Sequence, residues 1–178
     1  MELRNKDGLT EREFLAAYNS DIYPKPSLTA DVAVFSREGE TLRLLLIRRG
    51  NHPCMGCLAL PGGFADKNEP IEQTAARELL EETGVSGVPM RLVGVFSKPG
   101  RDPRGWTVTA AFCAVVDAAR LTVRAGDDAA DAQWYEVVTG GDDIRLRRGA
   151  EEVSLRDGAG IAFDHAEIIA RALELVSQ

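Results

Sequence analysis

Apolar residues along this chain recur with two different periods, which separate predicted strands from predicted helices. Residues 29–35 and 42–47 are short β-branched and aliphatic runs on either side of a polar turn, and this pattern predicts a β-hairpin. Similar runs predict further strands at residues 57–60, 91–97, 107–116 and 132–138. Residues 151–156 and 161–163 are predicted to pair with each other across a tight turn.

The helical period is clearest in residues 71–83. Its apolar positions share one helix face: Ile71, Ala75, Leu79 and Leu80. Pro70 fits the first turn of this helix, and Gly84 fits the position just past its end. Another helix is predicted at residues 165–176, with Asp164 as its N-cap.

The order of these elements is mixed, without the regular alternation of a parallel βαβ fold. We therefore expect an α/β protein with a mixed sheet between helices. Residues 1–27 are predicted to form an N-terminal helix, begun by a capping box of Thr10 and Glu13, and an extended connector. Residues 28–178 are predicted to form one domain, which suits the length of the chain.

Composition and charge restrict the class of protein. No apolar run approaches the roughly 18 residues that span a bilayer, and the polar N-terminus lacks the apolar centre of a signal peptide. We expect a cytoplasmic protein without a membrane partner. The formal net charge of -7 argues against a nucleic-acid partner, because such proteins usually carry a basic surface.

Three cysteines are too few for a disulfide framework in a chain of this size. Cys54 and Cys57 form a CxxC pair after His52, but no second pair follows to complete a structural zinc site. Cys113 lies in a predicted strand and is expected to be buried. We favour two ordinary loop cysteines over a metal or redox role for the CxxC pair.

Three glutamates on the predicted helix 71–83 are the strongest chemical signal. Glu78, Glu81 and Glu82 lie three and four residues apart and so share a helix face. Their mutual repulsion favours a bound cation, and oxygen ligands select Mg²⁺, Mn²⁺ or Ca²⁺. Taken alone, the same residues fit a solvated face on which Arg77 pairs with Glu81, and that interpretation is then the better one.

The wider pattern reverses that preference. Residues 63–85, GFADKNEPIEQTAARELLEETGV, resemble the Nudix box, G-x5-E-x7-R-E-U-x-E-E-x-G-U, where U is a bulky apolar residue. Every defined position is matched: Gly63, Glu69, Arg77, Glu78, Leu79, Glu81, Glu82, Gly84 and Val85. The resemblance implies a Nudix-type α/β/α sandwich that hydrolyses a nucleoside diphosphate linked to another moiety.

The resemblance also implies roles for individual residues. The implied catalytic and metal-binding glutamates are Glu78, Glu81 and Glu82, with a backbone carbonyl of Gly62 or Gly63 completing the site. The implied cofactor is Mg²⁺, with Mn²⁺ as the alternative. Glu69 and Arg77 are implied to brace the loop against the helix. Relatives of this type are often dimers, so a homodimer is expected.

Similarity to bacterial ADP-ribose pyrophosphatases extends beyond the box. It lies in residues 27–35, 44–49, 60–64, 97–109 and 163–165, and it implies conversion of ADP-ribose to AMP and ribose 5-phosphate. The candidate substrate-binding residues are Arg48, Arg49, Arg101 and Arg104. Only one of Arg48 and Arg49 should face the site, since strand neighbours alternate. Arg101 and Arg104 either contact substrate or belong to a solvated loop.

Some positions depart from these relatives. Many carry a tryptophan where this chain has Leu58, so a base-stacking aromatic is missing there. Trp106 and Trp134 are the alternatives, although Trp134 fits the core better. A downstream carboxylate that assists some relatives is not identifiable among Asp127, Asp128 and Asp131. His165 is expected to be structural.

Three other functions compete with this prediction. The first is a Nudix hydrolase of another sugar nucleotide, a dinucleotide or a nucleoside triphosphate. The second is an ADP-ribose-sensing transcriptional regulator, which we disfavour because the box is undamaged, the charge is negative and little chain follows residue 165 for a DNA-binding domain. The third is an isomerase, for which no separate acid/base pair is apparent. Metal-dependent diphosphate turnover separates the enzyme from the sensor.

Overall fold

The computed structural model of the protein describes residues 2–121, 123–124 and 129–177. Its helices are α1 (Glu11–Ala17), α2 (Ile71–Thr83) and α3 (His165–Val176). Its strands are β1 (Ser27–Glu38), β2 (Thr41–Arg49), β3 (Leu58–Ala59), β4 (Gly62–Phe64), β5 (Arg91–Phe96), β6 (Thr107–Val116), β7 (Ala129–Gly140), β8 (Asp143–Arg148) and β9 (Glu151–Ser154). Single 3₁₀ turns occur at Ser20–Ile22 and Ala118–Arg120.

These strands form one mixed sheet in the order β5-β6-β1-β2-β7-β8-β9. The pairing of β1 with β6 is parallel, and the other pairings between named strands are antiparallel. The short strands β3 and β4 lie beside β2 and β1 respectively. Strand β1 is therefore an interior strand of the sheet, and the predicted box loop forms β4 beside it.

Helices cover both faces of the sheet at β1. Successive side chains of a strand point to opposite faces, so Val32 and Val34 join the core cluster that includes Leu79 of α2. Phe35 joins the other cluster, which includes Ile168 of α3. Each such side chain contributes about 1.5–3 kcal/mol through burial. The predicted α/β/α sandwich is confirmed.

The predicted hairpin near the end of the chain is wrong. The strand β9 pairs with β8, and Ile161 instead forms a parallel bridge with Leu58 of β3. Strand β8 was not predicted from the sequence, although Ile144 and Leu146 alternate with charged residues as in a half-buried strand. The sequence favoured pairing between two segments that are close along the chain, whereas the observed partners of each segment are set by the arrangement of the whole sheet.

Helix α1 begins with the predicted capping box. The backbone N–H of Glu13 donates to Thr10 Oγ1 (3.3 Å), and the Glu13 carboxylate accepts the N–H of Thr10 (2.8 Å). No residue of α1 is buried, so the helix contributes nothing to either core. Among the described residues, no helix has the length and apolarity needed to cross a bilayer.

Candidate active site

Two glycines bring the chain close to both β1 and α2. In β4, Gly62 lies opposite Asp31 of β1, and Gly63 lies opposite Ala30. A Cβ atom on Gly62 would lie 2.2 Å from the carbonyl oxygen of Ala30, and one on Gly63 would lie 2.5 Å from the Glu78 carboxylate. Glycine is therefore required at position 62, where a side chain would clash with the backbone of β1, whereas a side chain at position 63 would displace the flexible Glu78 carboxylate.

Arg77 ties this loop to α2. Its Nε and Nη2 atoms donate to the two carboxylate oxygens of Glu69, each at 3.0 Å. Its Nη2 also donates to the backbone carbonyl of Phe64 (2.9 Å). The guanidinium beside it, with the N–H of Asp66 and the hydroxyl of Thr74, lowers the pKa of Glu69 to about 2. Glu69 thus stays ionised, and the loop is fixed by charge-assisted hydrogen bonds.

The same guanidinium contacts two of the three box glutamates. Arg77 Nη1 donates to Glu78 (2.6 Å) and to Glu81 (3.0 Å). The Glu78 side chain is 14% exposed, whereas that of Glu81 is 57% exposed and lies outside the lining of the cavity described below. Burial raises the pKa of Glu78, and Arg77 opposes that rise. Glu78 is therefore the better placed of the two for a site reaction.

Glu82 lies deeper, against the loop. Its carboxylate accepts the backbone N–H of Gly62 at 2.8 Å. Burial raises the pKa of Glu82 to about 8, and the nearby carboxylates of Glu78 and Asp31 add to the rise. Ionising a buried carboxyl group beside two other carboxylates costs free energy, unless a cation binds next to it.

One cavity is lined by these groups and by several arginines. Its volume is about 390 Å³, within the range of small-molecule sites. The glycine loop and α2 contribute its glutamate side, with Gly62, Gly63, Glu78 and Glu82, and other segments contribute its aromatic side, with Arg49, Arg101, Arg104 and Phe163. Carboxylates and cations therefore share the lining of a space that fits a phosphorylated small molecule.

The donor set on the glutamate side fits a hard divalent cation. Glu78 and Glu82 offer carboxylate oxygens beside a glycine loop whose backbone no Cβ covers, and oxygen ligands are those that Mg²⁺ and Mn²⁺ prefer. Within the described ranges, no three acidic, histidine or cysteine side chains are already grouped as a metal site.

Arg49 and Arg104 line the cavity from outside the box. Arg49 donates to the carbonyl of Pro53 (2.8 Å) and lies over the ring of Phe163. Arg104 is held by a fork of hydrogen bonds to Asp102. Both keep N–H groups within reach of the space that the glutamates also line.

Arg101 and Arg48 are placed differently from the sequence prediction. Arg101 lines the cavity, but its side chain is only 4% exposed and donates two hydrogen bonds to Asp164, at 2.8 and 2.6 Å. Arg48 lies outside the lining and bonds to Glu151 and Tyr135. Strand alternation separates Arg48 from Arg49, as expected, and the structure does not bring Arg48 to the site.

The sequence analysis missed a buried polar network beneath the cavity. His165 Nδ1 accepts the backbone N–H of Leu60 (3.0 Å), and its Nε2 lies 3.5 Å from Asp31. Asp31 also accepts the hydroxyl of Thr109 at 2.6 Å. Burial lowers the pKa of His165, so the neutral ring bears its proton on Nε2. The sequence feature that could have indicated this network is Asp31, a carboxylate within the apolar residues 30–35 of β1.

Aromatic residues at the cavity are also not those proposed from sequence. The lining contains Phe64 and Phe163, whereas Trp106 lies elsewhere and Trp134 packs against a core cluster. Phe163 belongs to residues 163–165, which resemble ADP-ribose pyrophosphatases. The direction of its ring depends on an irregular turn, which the spacing of apolar residues cannot predict.

The remaining candidates that the structure describes lie outside the cavity lining. Asp127 and Asp128 are outside the described residues, and Asp131 accepts a hydrogen bond from Gln133 in β7. Cys54 and Cys57 are free thiols that pack against a small core cluster. The role of a downstream carboxylate therefore stays open.

Comparison with known proteins gives the same picture. The model of the NUDIX domain matches residues 25–155. An ADP-ribose pyrophosphatase of Methanocaldococcus jannaschii is 34% identical over 83% of this chain and 73% of its own length. The crystal structure of a MutT/nudix family protein from Enterococcus faecalis superposes with a TM-score of 0.85 at 37% identity, covering 95% of this chain and 70% of that one.

A third relative is named as a transcriptional regulator. It is the ADPR responsive transcriptional repressor NtrR of Acinetobacter baylyi, 40% identical over 61% of this chain. The match covers 44% of the repressor, so less than half of that protein is compared.

Proposed function

We propose that this chain, which belongs to the NUDIX domain family and is a Nudix pyrophosphohydrolase, hydrolyses the diphosphate linkage of ADP-ribose with a divalent cation. The products are AMP and ribose 5-phosphate. The observation that carries the proposal is the cavity that Glu78 and Glu82 line together with Arg49 and Arg104. The activity of the archaeal relative supports ADP-ribose as the substrate.

The box glutamates are assigned to the cation. Glu78 and Glu82 hold Mg²⁺, with Mn²⁺ as an alternative, and a carbonyl of Gly62 or Gly63 adds a ligand. Glu81, at the exposed edge of the cluster, assists directly or through water. When bound, the cation offsets the charge of the diphosphate and makes an attacking water more acidic.

The chain itself contributes position and charge. Arg77 and Glu69 keep the glycine loop against α2, so Glu82 and the Gly62 N–H stay in contact. Arg49 and Arg104 neutralise phosphate oxygens on the opposite side. The attacking water oxygen forms a bond to one phosphorus, the bridging P–O bond breaks, and the other phosphate leaves with the bridging oxygen. The two protons of the water pass to the product phosphates or to solvent.

Arg101 is assigned a supporting role. Its guanidinium is buried and donates two hydrogen bonds to Asp164, so it holds the segment before α3 and adds positive charge to the cavity lining. Arg48 is not part of this proposal. The predicted homodimer and cytoplasmic location stay predictions.

The deciding experiment is AMP release from ADP-ribose by the purified protein. We expect release with Mg²⁺, loss of release with EDTA, and recovery on adding excess Mg²⁺ or Mn²⁺. Release that persists in EDTA would contradict the cation assignment. Sugar nucleotides, dinucleotides and nucleoside triphosphates assayed in parallel rank the substrates.

A sensor of ADP-ribose is the second candidate, favoured by the likeness to the Acinetobacter repressor. It predicts tight binding of ADP-ribose without turnover of any of these compounds. Calorimetric titration of the intact protein with ADP-ribose, followed by analysis of the recovered nucleotide, separates the two. Intact ADP-ribose after prolonged incubation with Mg²⁺ would support the sensor.

A further inference from the structure

A short parallel ladder joins β3 to the segment that precedes α3. Leu58 is bridged in parallel to Ile161. The N–H of Leu58 donates to the carbonyl of Gly160, and the carbonyl of Leu58 accepts the N–H of Ala162, each at 2.8 Å. The bonds of a parallel ladder recur evenly along the strands. The next donor is therefore the N–H of Leu60, and its regular acceptor would be the carbonyl of Ala162.

The side chain of His165 takes the place of that acceptor. The carbonyl of Ala162 instead accepts the backbone N–H of His165 at 3.1 Å, where α3 begins. The imidazole of the same residue accepts the N–H of Leu60 on Nδ1, at 3.0 Å. Leu60 is only 1% exposed, and a buried N–H without an acceptor costs free energy. A side chain of α3 thus completes a ladder that the backbone leaves incomplete.

The turn at residues 60–62 is held at each of its three residues. Its first N–H is bonded to α3, as described above. The carbonyl of Pro61 accepts the N–H of Val32 in β1 at 2.9 Å. The N–H of Gly62 donates to Glu82 of α2 at 2.8 Å. Since α2 and α3 cover opposite faces of the sheet, the turn that leads into the glycine loop is fixed from both faces.

The imidazole of His165 is enclosed although it belongs to the cavity lining. Its side chain is 4% exposed, and Nε2 faces Asp31 at 3.5 Å. Asp31 is itself fixed by the hydroxyl of Thr109, which donates to it at 2.6 Å. One ring nitrogen is therefore directed at the turn and the other at a buried carboxylate. This arrangement suits a residue that orients the backbone better than one that contacts a substrate.

We propose that His165 is a positioning residue for diphosphate hydrolysis, a statement that rests on the proposed function. Its Nδ1 atom fixes the turn at residues 60–62, so that the Gly62 N–H stays on the Glu82 carboxylate. Loss of this acceptor frees the Leu60 N–H to find another partner, which shifts the turn. Small displacements of reacting groups lower turnover strongly. Because Arg49 and Arg104 lie outside the turn, we expect KM to change little.

Two substitutions separate the two ring nitrogens. Asparagine places an acceptor at the position of Nδ1, whereas glutamine reaches the position of Nε2 and lacks the Nδ1 acceptor. We expect His165→Gln to lower kcat for ADP-ribose about 10-fold with KM nearly unchanged, and His165→Asn to restore most of the loss. Ile168→Val, in the buried core face of α3, loosens the same helix without contacting the turn. It is the matched control and should keep wild-type kcat.

Hydrogen exchange of the metal-free protein measures the turn without any turnover. In His165→Gln, the amides of residues 60–62 should exchange about 10-fold faster or more, while the amides within α2 keep their wild-type rates. In His165→Asn and Ile168→Val, the turn should remain protected. If His165→Gln does not fold, ¹⁵N NMR of the wild type takes its place. Coupling between the Leu60 nitrogen and Nδ1 would support the bond, and its absence would contradict the proposal.

Three results would overturn the positioning role. They are a folded His165→Gln variant with unchanged kcat, equal falls of kcat in His165→Gln and His165→Asn, and an equal fall in Ile168→Val. Each of them, obtained while the wild type hydrolyses ADP-ribose, leaves the proposed function intact. If the wild type hydrolyses no nucleotide but exchange at the turn rises only in His165→Gln, His165 holds the turn and the proposed function fails.

Discussion

The two sides of the cavity are built in different ways. The glutamate side comes from one continuous stretch, residues 63–85, in which helical spacing alone brings Glu78 and Glu82 together. The aromatic side comes from distant segments that contribute Arg49, Arg104 and Phe163. A short motif can encode the reaction chemistry, whereas the surface that selects the substrate requires the folded sheet and its loops.

The anchoring interactions differ accordingly. On the glutamate side, Arg77 and Glu69 are eight residues apart and bond to each other and to the loop. On the aromatic side, Arg101 and Asp164 are 63 residues apart and largely buried. We expect changes on the first side to affect kcat, and changes on the second to affect KM or folding stability.

The largest effect is expected from Glu82→Gln. Glutamine keeps the size of the side chain and an acceptor for the Gly62 N–H, but it removes the charge that would hold a cation. We expect kcat for ADP-ribose to fall by about 100-fold or more, with the melting temperature maintained. Glu72→Gln, on the exposed first turn of α2, is the matched control and should retain wild-type turnover. Full activity of Glu82→Gln would show that the ligand assignment is wrong.

Asp164→Asn tests the anchor of the aromatic side. The change leaves the buried guanidinium of Arg101 without its bidentate partner, which typically costs about 3 kcal/mol of unfolding free energy. Urea denaturation measures the loss. Asp142→Asn is the control because the Asp142 side chain is 95% exposed. Equal stability of the two variants would mean that the Arg101–Asp164 pair does not hold this side.

Gly63→Ala separates loop position from folding. Its Cβ meets only the flexible end of Glu78, so the carboxylate must shift while the core stays intact. We expect kcat to fall about 10-fold, as one mispositioned charge would produce. Gly140→Ala, where a Cβ meets nothing within 4 Å, serves as the comparison in the same kinetic assay. A Gly63→Ala enzyme with unchanged kcat would exclude a precise role for Glu78.

The smallest effect is a pH dependence of stability in metal-free protein. The pKa of Glu82 rises from 4.5 to about 8 on folding, so its favourable contribution is full below pH 4.5 and is lost as pH rises through 8. Relative to Glu82→Gln, the wild type should lose a few degrees of melting temperature between pH 5 and pH 8.5 in EDTA. Mg²⁺ should reverse the loss. A constant difference between the two proteins across this range would contradict the shift.

Much of the fold follows from patterns that are local. The helix at residues 71–83 was predicted with its observed bounds, because its apolar positions, Pro70 and Gly84 all act within a few turns. The pairing of β9 with β8 was not predicted, because the partner of a strand depends on the arrangement of the whole sheet. For the same reason Phe64 was not recognised as a cavity residue, although its neighbours in the box were.

The sequence by itself determined the α/β class, the Nudix family and the helix that carries the glutamates, because helix periodicity and a contiguous motif are properties of neighbouring residues. Only the tertiary structure decided that Arg49 rather than Arg48 lines the cavity, that Arg101 is buried against Asp164, and that Phe163 faces the site. Those outcomes depend on which distant segments pack together and on which polar groups lose water. The residues that become buried together in this way are not separated by any regular spacing along the chain.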